Sequence, residues 1–499
     1  MTPQAVQRGL PASLREAGPF RLLFWGQALS VVGDRITPVA IAFAVLDLGS
    51  TTDLGLVMAA GGVPFLLFAL AGGVWADRVG RRRVMLVSDV LRAISQGVVA
   101  ALLLTGSAEV WMLAALSFVY GVSAAVFMPA LVGLIPQTVP PARLQEANAL
   151  LALTRSVANI AGPAIAGVVV TAAGSGEAIA VDAGTFVVSA LCLARLRPLP
   201  AADAGAEGER EPFLAGLRAG WREVRSRAWL GWGLVAMSSY HVFVLPAVFV
   251  LGPTLANRDL DGPSSWATIV ACFGVGSVVG NVLALRLPLP RPVFMAAVAL
   301  VGASTQAVII GSGLGTAAIA ALELVAGVCV ALFFTLWDLS IQEQIPSRAV
   351  SRVSAYDFSV SVGLMPLGMA VCGPIADGIG LHATLRWMSA AGILAALVWV
   401  AQPSVRALRR PRSEPELASP TAGPVGVAGE PLAREPLAGE PVAIASVAVA
   451  PPTREPLTPV AVEPLAAQSL QPPAGRAWVP WLVAAGVAVA VLGSRRRPH

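Results

Sequence analysis

Ionisable side chains lie inside long apolar stretches of this sequence, where a charged group is costly. Asp34 and Arg35 are adjacent in the middle of one stretch. Asp89 and Arg92 are three residues apart in a second stretch, and Glu323 is nearly central in a third. A charge at the centre of a membrane helix costs about 2.5–3.5 kcal/mol on insertion scales, so it needs a partner or a water-filled cavity. Such residues mark ion pairs or sites for protons and ions, and they are the first candidates for a functional site.

The spacing of these residues predicts which of them can pair. Neighbours on a helix point about 100° apart, so Asp34 and Arg35 are expected to face different partners. Asp89 and Arg92 are one turn apart and can pair with each other, which favours a structural or gating role. Asp357 is a further ion-pair candidate, near the start of a later apolar stretch.

The sequence lacks the motifs of the common enzyme and nucleic-acid-binding classes. It contains no Walker loop, no Gly-x-Ser-x-Gly and no His-Glu-x-x-His, so no enzymatic activity, cofactor or metal is expected. Its three histidines and four cysteines do not have the spacing of a metal site. All 34 basic residues are arginines, and there are only three tyrosines, so a nucleic acid is not an expected partner.

The composition is that of an integral membrane protein. Of the 499 residues, 56% are hydrophobic and 13% are charged, and the mean hydropathy is +0.74. A bilayer core needs about 20 apolar residues per helix. Twelve such stretches lie near 20–46, 54–76, 84–105, 110–133, 147–173, 178–196, 229–252, 265–287, 292–312, 315–339, 354–376 and 382–402.

The distribution of arginines over the loops predicts the orientation. Arginines concentrate in alternate loops, such as 78–83, 286–291 and 406–412, and the opposite loops are mainly acidic. Because basic loops stay in the cytoplasm, both ends of the twelve-helix unit are expected there. No cleaved signal peptide is expected at the N-terminus.

The chain repeats itself at an offset of about 210 residues. The strings Gly-Pro-Ala-Ile-Ala-Gly and Gly-Pro-Ile-Ala-Asp-Gly recur at corresponding places, each after an Ile-Pro pair. We therefore predict an all-α fold with two parallel six-helix halves around a central cavity, an arrangement typical of transporters. The predicted segments are an N-terminal half at 1–200, a cytoplasmic linker with an amphipathic helix at 201–228, a C-terminal half at 229–408, a disordered Pro/Ala/Glu-rich tail at 409–476 and an apolar helix with an arginine-rich end at 477–499.

Two of these segments leave alternatives open. The amphipathic helix of the linker is expected to lie on the cytoplasmic leaflet, although a solvated linker helix fits nearly as well. The apolar run at 477–493 is long enough for a marginal thirteenth span, or it lies on the membrane surface.

The loop after the second stretch carries the motif that identifies a family. It resembles the signature Gly-x-x-x-Asp-Arg-x-Gly-Arg-Arg of the major facilitator superfamily at every position, and the resemblance extends over about residues 20–405. It implies a loop that locks against a neighbouring helix in one transport state; the alternative is that the arginines only set the topology. The matching residues are Gly73, Asp77, Arg78, Gly80, Arg81 and Arg82.

Further strings resemble one branch of that superfamily. Gly162, Pro163 and Gly167 match an element of its antiporters, with Ala166 in place of a glycine. The strings 20–27, 33–35, 127–130 and 146–150 are similar to those of the enterobactin-exporter and macrolide-efflux group. The resemblance implies that Asp34 takes the coupling proton, although a structural ion pair is the alternative. Glu323, by its central position in an apolar stretch, is the second-half candidate for proton or cation handling.

The sequence thus suggests a proton-coupled exporter of a small amphipathic compound, such as a drug, an antibiotic or a siderophore. It would be a monomer in a bacterial plasma membrane, driven by the proton gradient, with a possible protein partner for the C-terminal tail. An importer or facilitator, and a non-transporting scaffold, are the alternatives. Aromatic residues that could line the cavity are Trp25, Tyr120, Phe127, Tyr240 and Phe334.

Overall fold

The structure is a computed structural model. It describes residues 13–14, 18–197, 199, 221–286 and 289–410, with the backbone alone at 66, 69–78, 347–348, 351–352 and 355. The predictions for 201–220 and 411–499 fall outside these residues. The described linker residues 221–226 are helical.

Twelve long helices correspond to the twelve predicted stretches. Among the described residues, eleven helices are long and apolar enough to cross a membrane. The remaining one, α2, has 29 residues and coincides with the second predicted stretch. The described residues contain no β-strand, so the predicted all-α membrane fold is confirmed. The first half comprises α1 (Gly18–Leu48), α2 (Thr51–Val79), α3 (Arg81–Leu104), α4 (Val110–Leu134), α5 (Leu144–Ala172) and α6 (Ser175–Arg195). The second half comprises α7 (Ala228–Asp259), α8 (Pro263–Arg286), α9 (Pro292–Ile310), α10 (Thr316–Gln344), α11 (Ser347–Ser361 and Met365–Ile379) and α12 (Leu381–Ala401).

Helix α7 is irregular where it approaches the first half of the chain. It contains two π-helical segments, Tyr240–Val244 and Ala247–Leu251, on either side of Pro246. A proline inside a helix removes a backbone hydrogen bond and disturbs the preceding turn, and π segments often occur at functional sites. The irregular region turns three of its side chains towards a cavity between the halves.

The internal repeat is visible in the packing. In the first half α2 packs against α4, and α3 packs against α6. In the second half the corresponding pairs, α8 with α10 and α9 with α12, also pack together. The principal contacts between the halves follow the same symmetry, because α2 packs on α11 and α8 packs on α5.

Glycines bring the two halves into close contact at one end of the bundle. This closed end is where α2 and α8 begin and α5 and α11 end. A Cβ atom built on Gly55 would lie 2.3 Å from the backbone oxygen of Met369, and one built on Gly167 would lie 2.2 Å from the Cβ of Ala267. Any larger residue would hold the helices apart, so the glycines permit this close packing of the helices.

A polar contact joins the halves at the same end. The Thr52 hydroxyl of α2 donates a hydrogen bond of 2.7 Å to the Asp377 carboxylate of α11. Close beside it, a Cβ on Gly373 would lie 2.5 Å from the Cα of Thr52. The closed end lies opposite the arginine-bearing loop between α2 and α3.

Candidate transport site

Asp34 lies in the interior of the first half, where it contacts two other helices. The Tyr120 hydroxyl of α4 donates a hydrogen bond to Asp34 Oδ1. The Arg92 guanidinium of α3 lies 3.6 Å from the same oxygen, and Asp34 is 29% exposed. The carboxylate is therefore held by a neutral and a positive group while part of it remains accessible.

Arg92 is buried and is surrounded by groups that stabilise its positive charge. Its guanidinium pairs with Asp89, one turn earlier on α3, as the spacing predicts. Asp89 also accepts a hydrogen bond of 2.6 Å from the Ser189 hydroxyl of α6. The guanidinium carbon lies 4.1 Å from the ring centre of Phe127 and 4.5 Å from that of Phe186. Two aromatic faces thus stabilise a cation that is buried away from water.

Asp182 of α6 is the third carboxylate of this region and is fully buried, and the sequence pattern did not single it out as a site residue. It accepts hydrogen bonds from the Thr37 hydroxyl at 2.5 Å and from the Gln96 amide at 3.0 Å. A Cβ on Gly33 would lie 2.2 Å from its Oδ1, so that glycine makes room for the carboxylate. The available signal was the helical spacing of Asp182, Phe186 and Ser189, which places them on one face of α6. We call Asp34, Asp89, Arg92, Tyr120 and Asp182 the acidic cluster.

A cavity of about 290 Å³ lies between the two halves. Helices α1 and α5 line it from the first half, and α7, α8, α9 and α10 line it from the second. Its aromatic side chains are Phe249, Trp266 and Phe273. Its polar side chains are Arg35, Asn159, Ser277, Gln306 and Glu323. An apolar wall with a few polar groups is the usual composition of a small-molecule site.

Glu323 lies at the end of a hydrogen-bonded chain on the second-half wall. Its Oε2 accepts a hydrogen bond of 3.1 Å from the Gln306 amide, and Gln306 Oε1 accepts one of 2.7 Å from the Tyr240 hydroxyl. The side chain is 2% exposed, and its Oε1 is buried without a hydrogen-bond partner among the described residues. The structure does not bring Glu323 to the acidic cluster, since the two groups belong to different halves.

Arg35 faces away from the acidic cluster and lines the cavity. Its Cβ packs against Gly162 of α5, where an added Cβ would lie 2.2 Å away. Pro163 also lines the cavity, and Gly167 belongs to the closed end. The three residues of the antiporter-like string thus contact α1, the cavity and α8 in turn.

The aromatic residues singled out in the sequence lie elsewhere than on this cavity. Tyr120 and Phe127 contact Asp34 and Arg92 in the first half, and Tyr240 lies behind Gln306. Phe334 packs on Phe333 and His241, and Trp25 is an exposed side chain of α1. The aromatic wall of the cavity comes from Phe249 in a π segment of α7 and from two residues of α8 spaced two turns apart.

The motif loop connects α2 to α3 and ties α3 to its neighbours. Gly80 has a φ of 100°, a left-handed conformation that glycine adopts without strain. Arg81 donates a hydrogen bond of 2.5 Å to the Gly133 oxygen at the end of α4. Arg82 donates to the last carbonyls of α6 at 2.7 and 2.5 Å, where the helix dipole favours a cation. Of Gly73, Asp77 and Arg78 only the backbone is described.

Asp357 of α11 lies in the second half. Its Oδ2 accepts a hydrogen bond of 3.2 Å from the Trp337 indole of α10. Trp337 in turn stacks on Phe333 and makes edge-to-face contacts with Trp229 and Trp399 in the aromatic core of that half. In this state Asp357 therefore links α11 to the core.

Two symmetric six-helix halves, a closed end and a cavity between them define a polytopic membrane transporter. A sequence model described as Major Facilitator Superfamily matches residues 23–363. The chain belongs to the Major Facilitator Superfamily.

Similar proteins include two bacterial efflux transporters. The chain is 28% identical to the multidrug efflux pump Tap of Mycolicibacterium fortuitum, over 78% of this chain and 97% of that protein. It is 22% identical to macrolide efflux protein A of Streptococcus pyogenes, over 78% of this chain and 96% of that protein. The expected resemblance to macrolide-efflux proteins of the superfamily is thereby confirmed.

Solved structures share the fold at low sequence identity. The nucleoside transporter NupG aligns with a TM-score of 0.59 at 13% identity, over 77% of this chain and 98% of that one. A bacterial homologue of the human lysosomal transporter Spinster, in an inward-facing and unoccupied conformation, aligns with a TM-score of 0.57 at 15% identity, over 78% and 96%. These likenesses establish the architecture alone.

Proposed function

We propose that this transporter is a proton-coupled exporter of small amphipathic organic compounds in a bacterial plasma membrane, with Asp34 as the residue that binds the coupling proton. The observation that carries the proposal is that two adjacent residues of α1 lie in two different environments. Asp34 belongs to the acidic cluster, and its neighbour Arg35 lines the cavity. A shift of α1 that follows a change at one residue must therefore alter the surroundings of the other.

Proton binding at Asp34 would change the forces that hold α1. Two unit charges 3.6 Å apart attract by about 4–5 kcal/mol at an effective dielectric constant of about 20, before a discount for the partial exposure of Asp34. Protonation removes this attraction to Arg92 and also reduces the excess of negative charge in a cluster with three carboxylates and one arginine. A proton can drive transport only through such a difference between states.

The orientation follows from the arginine loops. We take the face with Arg81 and Arg82 to be cytoplasmic, as the charge rule predicts, so the N-terminus is cytoplasmic as well. The closed end then faces the outside, and the conformation is one that loads substrate from the cytoplasm. The glycine contacts at that end have to separate before the substrate is released outwards.

The names of the relatives support a drug as the substrate, with macrolides among the compounds to test. A siderophore is an alternative cargo of the same amphipathic type. The energy source is the proton gradient, and no cofactor is needed for this mechanism.

The experiment is efflux of a drug and dye panel from cells that lack their own pumps. Wild type should export at least one compound in a protonophore-sensitive way, and Asp34→Asn should abolish that export at equal membrane abundance. Asp47→Asn is the matched control, because Asp47 is an exposed carboxylate near the other end of the same helix. Unchanged efflux in Asp34→Asn would refute the assignment of the proton site.

A further inference from the structure

Two oppositely charged side chains line the cavity, one from each half of the chain. Glu323 reaches it from α10, and Arg35 reaches it from α1. The inference drawn from this pair rests on the proposed transport function and specifies its substrate class. It uses residues outside the acidic cluster, so it makes its own predictions.

The Glu323 carboxylate presents an acceptor that the protein leaves unused. One oxygen is engaged by Gln306, whose own oxygen is occupied by the Tyr240 hydroxyl. The other oxygen is buried without a hydrogen-bond partner among the described residues. A buried, unpaired acceptor is costly, so a ligand that donates to it there gains a favourable charge-assisted bond.

The Arg35 guanidinium, from the first half, is a positive group without a partner among the described residues. In the described part of the chain it has neither an ion-pair nor a hydrogen-bond partner. An unpaired arginine in a membrane helix is costly, and its planar fork fits a carboxylate in a bidentate way. Gly162 permits the close approach of α5 that fixes the position of its Cβ.

The aromatic lining of the cavity suits a flat apolar body. Phe249, Trp266 and Phe273 contribute aromatic surface to it. The volume of about 290 Å³ is at the lower limit of the roughly 300–1,000 Å³ that is usual for small-molecule sites. The cavity in this closed-end state therefore fits a compact ring system better than a large macrocycle.

We propose that this cavity binds zwitterionic amphipathic compounds, with a basic amine of the ligand at Glu323 and a carboxylate of the ligand at Arg35. A compound that is only cationic would satisfy Glu323 but leave Arg35 unpaired in the same space. A compound that is only anionic would leave Glu323 unpaired. A zwitterion satisfies both groups and keeps the site neutral.

The test measures binding to the purified full-length chain in detergent, without any gradient, by the fluorescence anisotropy of quinolones. Norfloxacin carries a piperazine amine and a carboxylate on one aromatic body. Its ethyl ester lacks the negative charge, and its N-acetyl derivative lacks the positive one. Norfloxacin should bind at least about tenfold more tightly than either derivative, since each derivative loses one charge-assisted bond.

Variants assign each charge to its residue. Glu323→Gln should weaken norfloxacin binding about tenfold and abolish the preference for norfloxacin over its N-acetyl derivative. Arg35→Gln should abolish the preference for norfloxacin over its ethyl ester. Glu109→Gln and Arg258→Gln are matched controls at exposed positions that do not line the cavity, and they should leave all three affinities unchanged.

The outcomes separate this inference from the proposed function. Equal affinities within the quinolone series for wild type, or no binding of any of them, would overturn the zwitterion site even if efflux of other drugs is proton-coupled. Because the ligand series uses the wild-type chain, a variant that fails to fold cannot obscure the result. Asp34→Asn should retain the order of affinities while losing coupled transport, and a loss of that order would also contradict the separation of the two sites.

Discussion

The glycine contacts at the closed end predict a large effect for one methyl group. In Gly167→Ala the new Cβ would lie 2.2 Å from the Cβ of Ala267. Carbon atoms in contact normally lie about 3.5–4.0 Å apart, and neither Cβ can rotate away, because both are fixed to a backbone. Helices α5 and α8 must therefore separate by more than an ångström.

The size of the effect follows from the cost of overpacking. An extra methyl in a well-packed interface costs about 1–3 kcal/mol, and here the cost applies only to the closed state. The gain in helix propensity from glycine to alanine, up to about 1 kcal/mol, is common to both states and does not offset it. The ratio of closed to open molecules should fall by about 5–150-fold.

The assay is crosslinking across the closed end. Thr52→Cys and Asp377→Cys place two thiols where a hydrogen bond of 2.7 Å now joins the halves. In a background without the four native cysteines, a short bifunctional thiol reagent should link them rapidly, and Gly167→Ala should slow the linkage at least about fivefold.

Two other glycines provide the controls for that experiment. Gly97→Ala in α3 and Gly184→Ala in α6 add the same methyl where no described atom lies within 4 Å. Both should leave the linkage rate unchanged and raise the thermal stability slightly through helix propensity. If Gly167→Ala folds and is linked as fast as these controls, the closed-end argument is refuted.

Three further predictions concern the first half. Arg92→Met should destabilise the purified protein by about 3–5 kcal/mol, because it leaves Asp89 charged and buried. The double variant with Asp89→Asn should lose clearly less stability than the sum of the two single variants. Additive losses in unfolding experiments would contradict the pairing. Arg82→Gln should lower the stability of the protein by about 1–2 kcal/mol, because it loses its hydrogen bonds to the end of α6. Its control, Arg83→Gln at an exposed position, should change the stability by less than about 0.5 kcal/mol. Equal melting temperatures of the two variants would show that these bonds contribute nothing. Tyr120→Phe retains the ring but removes the hydrogen bond to the proposed proton site, so it should change the pH dependence of efflux while leaving abundance unchanged, and an identical pH profile would count against that contact.

The fold was largely predictable because membrane helices follow from local sequence. Length and apolar content located all twelve helices, since the bilayer requires each of them to satisfy its own backbone. The local pattern did not predict the π segments of α7 around Pro246, or the close seating at Gly55. Both depend on which helix lies opposite, and a single sequence does not contain that information.

The candidate site was predictable only in part. The cost of charge in a membrane correctly drew attention to Asp89 and Arg92 as a pair, because their contact is within one helix. Asp182 was not predictable as a site residue, because its partners, Thr37 and Gln96, come from other helices. The aromatic residues that line the cavity were not predictable for the same reason, since a ring on a helix reaches the cavity only if that helix face is turned inwards.

Transport into vesicles of purified protein tests the central claim most directly. The cargo is a compound that the wild-type protein exports from cells, and a pH gradient is imposed across the vesicle membrane. A proton-coupled exporter should accumulate the compound when the lumen is acidic, in either orientation, and Asp34→Asn should not. Accumulation driven only by an alkaline lumen, as in proton symport, or equal accumulation by Asp34→Asn would contradict the account.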